Sequence, residues 1–306
     1  MKSKTILATG AALAFLSAPV WVHAQSLNGT VDTSFYGSPL AIQTINTGFG
    51  NAAGGNDSAG GSELDAAYGK ISGGNLYLFL AGNVENNGNH LNVFVDGGAV
   101  GESTLSTSGG SLGSMNGSVF SPGFQATWAF DMNDYQGTLY NENYNLVGGS
   151  QVSGGYIGSL AETSTGIAAG GYGGDATLYL NNNHASTMGA SGAALSGATS
   201  GANTTTGLEM VIPLSAIGYT GGNIMVLADV NGGGDSYLAN QFLPGLAVGT
   251  GNVGGGGPYT GPNGGTFNFA NTPGEYFTVA GVPEPSLMAM FGLSGLATLL
   301  AIRRRK

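Results

Sequence analysis

Between residues 26 and 281 no segment keeps a 3.6-residue apolar period for three turns, whereas short runs alternating apolar and polar positions recur throughout, bounded by Gly and Asn. That period predicts an all-β body. In 75–81, Leu76, Leu78 and Leu80 take one face and Tyr77, Phe79 and Ala81 the other, the pattern of a central strand covered on both sides. The turn residues 85–89 then lead to 91–96, where Leu91, Val93 and Val95 share a face, so the two runs are expected to pair as a hairpin. Further strands are predicted over 124–130 (Phe124, Ala126, Trp128 and Phe130 on one face), 138–147, 156–161, 176–180, 208–212, 223–230 and 276–279. So many short strands with Gly-rich links suggest a β-sandwich or jelly-roll-like fold, because two packed sheets bury alternating faces. Pro213 should end its strand, with one helical turn following to Gly218. Segments 101–118, 185–206 and 249–265 are rich in Gly, Ser, Ala and Thr with few apolar anchors, and are expected to be surface loops.

Composition narrows the setting. Gly supplies 58 of 306 residues and there is no Cys, which excludes a disulfide framework, a thiolate metal site and a Cys nucleophile. Lys70 is the only basic residue between Lys4 and Arg303, while all 17 carboxylates lie between them, 16 in the body and Glu284 in the tail. A body of that sign repels phosphate backbones, so nucleic-acid binding is not expected, and it attracts divalent cations.

The ends carry the remaining hydrophobic runs. Residues 1–24 show Lys2 and Lys4, an apolar stretch from Ile6 to Val22, and Val22-His23-Ala24, which reads as a signal peptide cleaved after Ala24. At the other end Val282-Pro283-Glu284-Pro285-Ser286 precedes a mostly apolar run from Leu287 to Ile302 and then Arg303, Arg304, Arg305 and Lys306. As a helix the run would measure about 24 Å, enough to span a bilayer if the arginine stems snorkel. The terminal arginines favour the cytoplasmic side and put the body outside, so both ends specify one topology. The expected organisation is signal peptide 1–24, β-sandwich body 25–281 and sorting segment 282–306, containing a single transmembrane helix.

This order of Pro-Glu-Pro motif, membrane helix and basic stop resembles the PEP-CTERM sorting signal. The resemblance implies a Gram-negative bacterium that makes exopolysaccharide, an exosortase-type membrane protease as partner, an inner-membrane-tethered intermediate, and cleavage near Pro283 to Pro285 that delivers the body to the cell surface or medium. Within the body, Asp65-Ala66-Ala67 before the 75–83 run, and Ile212-Pro213-Leu214 ending a late strand, resemble the DOMON and family 9 carbohydrate-binding-module sandwiches. That second resemblance implies the fold; one fold hosts many ligands.

Chemistry is sparse. Gly249-Thr-Gly-Asn-Val-Gly254 fits GxGxxG but follows no clear strand and opens no helix, and a Gly109-Gly-Ser111-Leu-Gly113 elbow lacks its strand. His90 and His184 each follow an Asn and read as solvated turn or strand-edge residues. Asp229, Asn231 and Asp235 concentrate oxygen ligands on a flexible loop after a strand, the donor type Ca²⁺ prefers, and are the candidate metal ligands; no other cofactor is expected. Trp128, in phase with Phe130, reads as core, and Tyr135, Tyr140 and Tyr144, set among Asn and Gln, are the candidate glycan-binding residues. No carboxylate pair can be assigned to glycoside hydrolysis. The expectation is an exported, non-catalytic surface or matrix protein associated with exopolysaccharide, with a secreted glycan-active enzyme as the alternative.

Overall fold

A computed structural model describes residues 25–281 except 26, 46, 49–61, 86, 108, 162–166, 170–176, 181–203, 255–267 and 272–273, with the backbone alone at 160–161, 167–169 and 177–180. Among these residues, thirteen strands form two antiparallel sheets. The first sheet runs in the order β1 (Ala41–Ile42), β2 (Glu63–Ser72), β3 (Asn75–Asn83), β10 (Gly207–Pro213), β9 (Thr177–Leu180), β8 (Ile167–Ala169). The second runs β12 (Leu238–Leu243), β11 (Ile224–Asn231), β4 (Asn87–Asp96), β5 (Trp128–Tyr135), β6 (Thr138–Asn145), β7 (Ser153–Ala161). A short strand β13 (Phe277–Val279) pairs with the first half of β11 while β12 takes its second half.

Alternation dictates which residues meet between the sheets. Leu76, Leu78 and Leu80 of β3 join Leu91, Val93 and Val95 of β4, with Trp128 and Phe130 of β5, in one buried cluster. Each such aliphatic side chain removed from water contributes about 1.5–3 kcal/mol. The expected hairpin between β3 and β4 does not form: β3 pairs with β2 and β10, and β4 with β5 and β11. The short link after Asn83 instead carries the chain from one sheet to the other. Face-to-face packing places both aliphatic rows in a single core, which edge-to-edge pairing could not do.

The remaining faces are covered as well. On the first sheet, the helical turn α1 (Thr33–Tyr36), capped by Asp32, lays Phe35 and Tyr36 over Tyr68 and Phe79. Glu209 holds this segment down by accepting from Gln25 Nε2 (2.9 Å), Asn28 N (2.9 Å), Gly29 N (3.2 Å) and the Tyr36 hydroxyl (3.0 Å). Lys70 Nζ donates to Phe35 O at 2.8 Å and lies 4.4 Å from the centre of that ring.

On the second sheet, the segment expected to be a surface loop is framework. Leu105, Leu112 and Met115 are buried with Phe94, Phe120 and Phe124, and Ser111–Met115 winds into a 3-10 turn over the sheet. Few apolar anchors suffice because each falls against an aromatic. The predicted strand 124–130 is likewise divided, since Phe124 and Ala126 belong to this outer cluster and only Trp128 onward is strand. Residues 214–218 form turns rather than a helix, and β2 and β12 extend the sheets beyond the predicted set.

Candidate functional site

The outer face of the second sheet is organised in rows, because residues paired across neighbouring strands point the same way. One row is apolar: Leu227, Phe94, Ala129 and Tyr144 pair in succession across β11, β4, β5 and β6. Two residues along, the next row is Asp229, Asn92, Asp131, Glu142 and, on β7, Tyr156. The third is Asn231, His90, Asn133 and Tyr140. The second and third rows create a polar patch that continues an apolar one, so the loop covering Phe94 also covers the acids. Asp131, Asp229 and Asp235 are consequently buried, as are Asn92 and His90, the latter 1% exposed. His90 is therefore not the solvated strand-edge residue that its sequence context suggests.

A tight loop after β11 closes the patch. In the 3-10 turn Gly233–Asp235, Gly234 (φ 67°) and Asp235 (φ 51°) both occupy the left-handed region. That conformation is uncommon for a residue with a Cβ and recurs where a side chain must be aimed. It brings Asp235 Oδ1 to 3.1 Å from Asn92 Nδ2, which also donates to Asp131 Oδ1 at 3.1 Å. The His90 ring bridges the same atoms: Nδ1 lies 2.8 Å from Asp131 Oδ1 and 3.6 Å from Asp235 Oδ1. Its Nε2 accepts from Gly234 N at 3.2 Å and from Asn133 Nδ2. A nitrogen that receives a backbone N–H carries no proton, so Nδ1 is the donor to Asp131.

Several oxygens in the patch have no hydrogen-bond partner among the described residues: Asp131 Oδ2, both oxygens of Asp229, Asp235 Oδ2 and Asn92 Oδ1. Burial, then the charges of Asp235 and Asp131, raise Asp229 well above the usual carboxylate range. Asp235 is pushed up to about 8 by burial first and then by Asp131, against the lowering effect of His90 and Asn92. Burial disfavours a charge on His90, but Asp131 and Asp235 outweigh it and push the imidazole up to about 9. The Gly234 amide, a fixed backbone donor, requires an unprotonated Nε2, so in this geometry the ring is the neutral tautomer with its proton on Nδ1. Glu142 differs from its neighbours in the row: it accepts from Ser111 N at 2.9 Å and from the Tyr144 hydroxyl.

The expected site residues divide accordingly. Asp229 and Asp235 do lie in this patch. Asn231 does not offer a free ligand oxygen, since its Oδ1 accepts from Gly232 N (3.0 Å) and Tyr237 N (2.9 Å) and so shapes the loop. Of the three tyrosines, Tyr135 and Tyr140 are 49% and 41% exposed, but Tyr144 is 1% exposed and belongs to the apolar row, so it presents no ring to a glycan. Tyr156, which the sequence reading passed over, is 53% exposed and lies 6.5 Å from Tyr140 ring to ring. Trp128 is core, as its phase indicates. Ala24, His184, Val282 to Ser286 and Arg303 to Lys306 lie outside the described residues. Asn92 and Asp131 were also missed, although 90–95, 129–133 and 228–231 all alternate Asn, Asp or His with apolar residues in the sequence. Such alternation ordinarily marks a solvent face.

A second buried acidic pair sits on β2. Glu63 is fully buried with neither carboxylate oxygen partnered among the described residues, and Asp65 Oδ2 accepts from Thr204 Oγ1 at 2.9 Å. Burial first, then the Asp65 charge, pushes Glu63 up to about 9, and burial pushes Asp65 up to about 7.

Comparison with known proteins places one segment. Residues 281–306 match the family described as the PEP-CTERM protein-sorting motif. That motif marks an exported bacterial protein that an exosortase, itself a membrane protein, processes on its way from membrane anchorage to the cell surface. No curated protein and no solved structure matches the chain. Among the described residues no helix is long and apolar enough to cross a membrane, and the 287–302 run lies outside them.

Proposed function

We propose that this chain is a non-catalytic component of the bacterial cell surface or extracellular matrix that, once processed, associates with exopolysaccharide through exposed tyrosines at one border of the second sheet. The observation that carries the carbohydrate reading is the group Tyr135, Tyr140 and Tyr156, whose rings are half exposed on the side of the sheet that also holds Asn133. Aromatic faces flanked by amides suit sugars, which offer C–H surfaces and hydroxyls together. Non-catalysis is supported by Asp131, Asp229, Asp235 and Glu63 being buried, since a hydrolytic acid or nucleophile must reach the glycosidic bond.

The test is sedimentation of the purified full chain with the exopolysaccharide of the producing cell, run beside a turnover assay on the same polymer. Binding without turnover, reduced about tenfold in a Tyr140→Ala/Tyr156→Ala double variant, is the expected result. Release of reducing ends would instead favour a secreted glycan-active enzyme. Delivery has its own check: the surface-released protein should end near residue 283, and an intact Arg303 to Lys306 tail on all of it would refute exosortase cleavage.

A further inference from the structure

We propose that Asn92, Asp131, Asp229 and Asp235 form an oxygen-only site for one calcium ion, with His90 as a positioning residue that holds Asp131 rather than a ligand. Calcium takes carboxylate and amide oxygens, and each of these four residues keeps at least one oxygen free of hydrogen bonds among the described residues: Asn92 Oδ1, Asp131 Oδ2, Asp235 Oδ2 and both oxygens of Asp229. The donor atoms already in use are those turned toward His90 and the Asn92 amide nitrogen. Asp131 and Asp235 already bring ligand atoms to within 4.8 Å of one another, and Asp229 borders them, because it faces Asn92 across the β11–β4 pair while Asp131 faces Asn92 across β4–β5.

Charge makes the same demand independently. Three fully buried carboxylates share one patch, and the one lysine of the body is spent on Phe35 at the other sheet. An uncompensated buried carboxylate costs several kcal/mol, and Lys70 is the only lysine or arginine among the described residues. His90 cannot serve as the metal's nitrogen ligand in this geometry, since Nδ1 donates to Asp131 and Nε2 receives Gly234 N–H. An all-oxygen set with three carboxylates selects a hard cation. Ligands drawn from three strands and a loop suit the adaptable coordination of calcium better than the strict octahedron of magnesium. The inference stands apart from the carbohydrate reading and would survive its failure.

The experiment uses the full chain, purified, stripped with EDTA and back-titrated with CaCl₂, MgCl₂ or ZnCl₂, with bound metal and thermal midpoint as readouts. One calcium per chain and a midpoint raised by about 5 °C or more are expected. Asp229→Asn should weaken calcium binding at least tenfold, while its metal-free midpoint equals or exceeds that of the parent protein, because a buried carboxyl with no hydrogen-bond partner has gone. His90→Gln should retain calcium with reduced affinity. No calcium uptake by the parent protein overturns the site whether or not any variant folds. Preferential zinc uptake that His90→Gln abolishes overturns the oxygen-only assignment, and calcium uptake unchanged in Asp229→Asn overturns the ligand set.

Discussion

Replacing Glu63 by Gln should make the protein's stability less dependent on pH, and the size of the effect follows from burial. Glu63 is fully buried, and its carboxyl is pushed from an ordinary 4.5 to about 9. The folded state therefore keeps a proton that the unfolded chain gives up. The stabilising contribution is intact below about pH 4.5 and is lost progressively as pH rises toward 9. Each pH unit in that window costs about 1.4 kcal/mol per retained proton, so the interval from pH 5 to pH 8 is worth on the order of 4 kcal/mol. Gln keeps the shape and cannot ionise, so this slope disappears. For a domain of this size 1 kcal/mol moves the midpoint by roughly 2–4 °C, and the parent protein should therefore lose about 10 °C more than E63Q between pH 5 and pH 8. Thermal unfolding followed by circular dichroism, at several pH values and in EDTA, supplies the comparison. The difference between the two slopes is the readout, since Asp229 and Asp235 bias both proteins equally. Parallel midpoint curves would show that Glu63 is ionised in the folded protein and would refute the argument.

Glu209→Ala should destabilise the protein by about 3 kcal/mol or more in urea unfolding, because it leaves four donors from residues 25–36 without their acceptor. It should also raise amide exchange at Asn28 and Gly29. Gly207→Ala should cost about 1–3 kcal/mol or more in the same assay, since its Cβ would lie 2.0 Å from the Leu80 carbonyl oxygen across the β10–β3 pair. Phe130→Ala, which empties a fully buried ring stacked on Trp128, should cost about 3–5 kcal/mol and lower the thermal midpoint in proportion. Deleting residues 282–306 should abolish the membrane-anchored intermediate, which fractionation of producing cells would reveal.

Local pattern carried much of the architecture. Two-residue alternation identified β3, β6, β10 and β11 within a residue or two of their observed bounds, because a strand covered on one or both faces must repeat its apolar positions at that period, whereas β4 begins at Asn87, four residues earlier than expected and inside the predicted turn. The same period indicated that Trp128 is core. It could not indicate which strands pair. Leu76 to Leu80 and Leu91 to Val95 look like neighbours in a hairpin, yet they lie opposite one another across the core. Local chemistry does not distinguish a turn within a sheet from a short link between sheets. Residues 101–118 show the converse limit, since a Gly- and Ser-rich composition implies surface exposure until Phe94, Phe120 and Phe269 are known to be where its few apolar side chains settle.

The candidate site illustrates the division most clearly. By itself the amino-acid order determined the delivery route, a cysteine-free acidic body, and the presence of Asp229 and Asp235 beside a flexible loop; these are contiguous features, and contiguous residues stay neighbours in any fold. Only the tertiary structure decided that Asn92 and Asp131, from two other strands, stand beside them, that Tyr144 is interior and Tyr156 exposed, and that Asp229, Asn92 and Asp131 are buried together. The physical reason is that pairing partner and register, which set these contacts, depend on burying the complete apolar surface at once, a property of all the strands together.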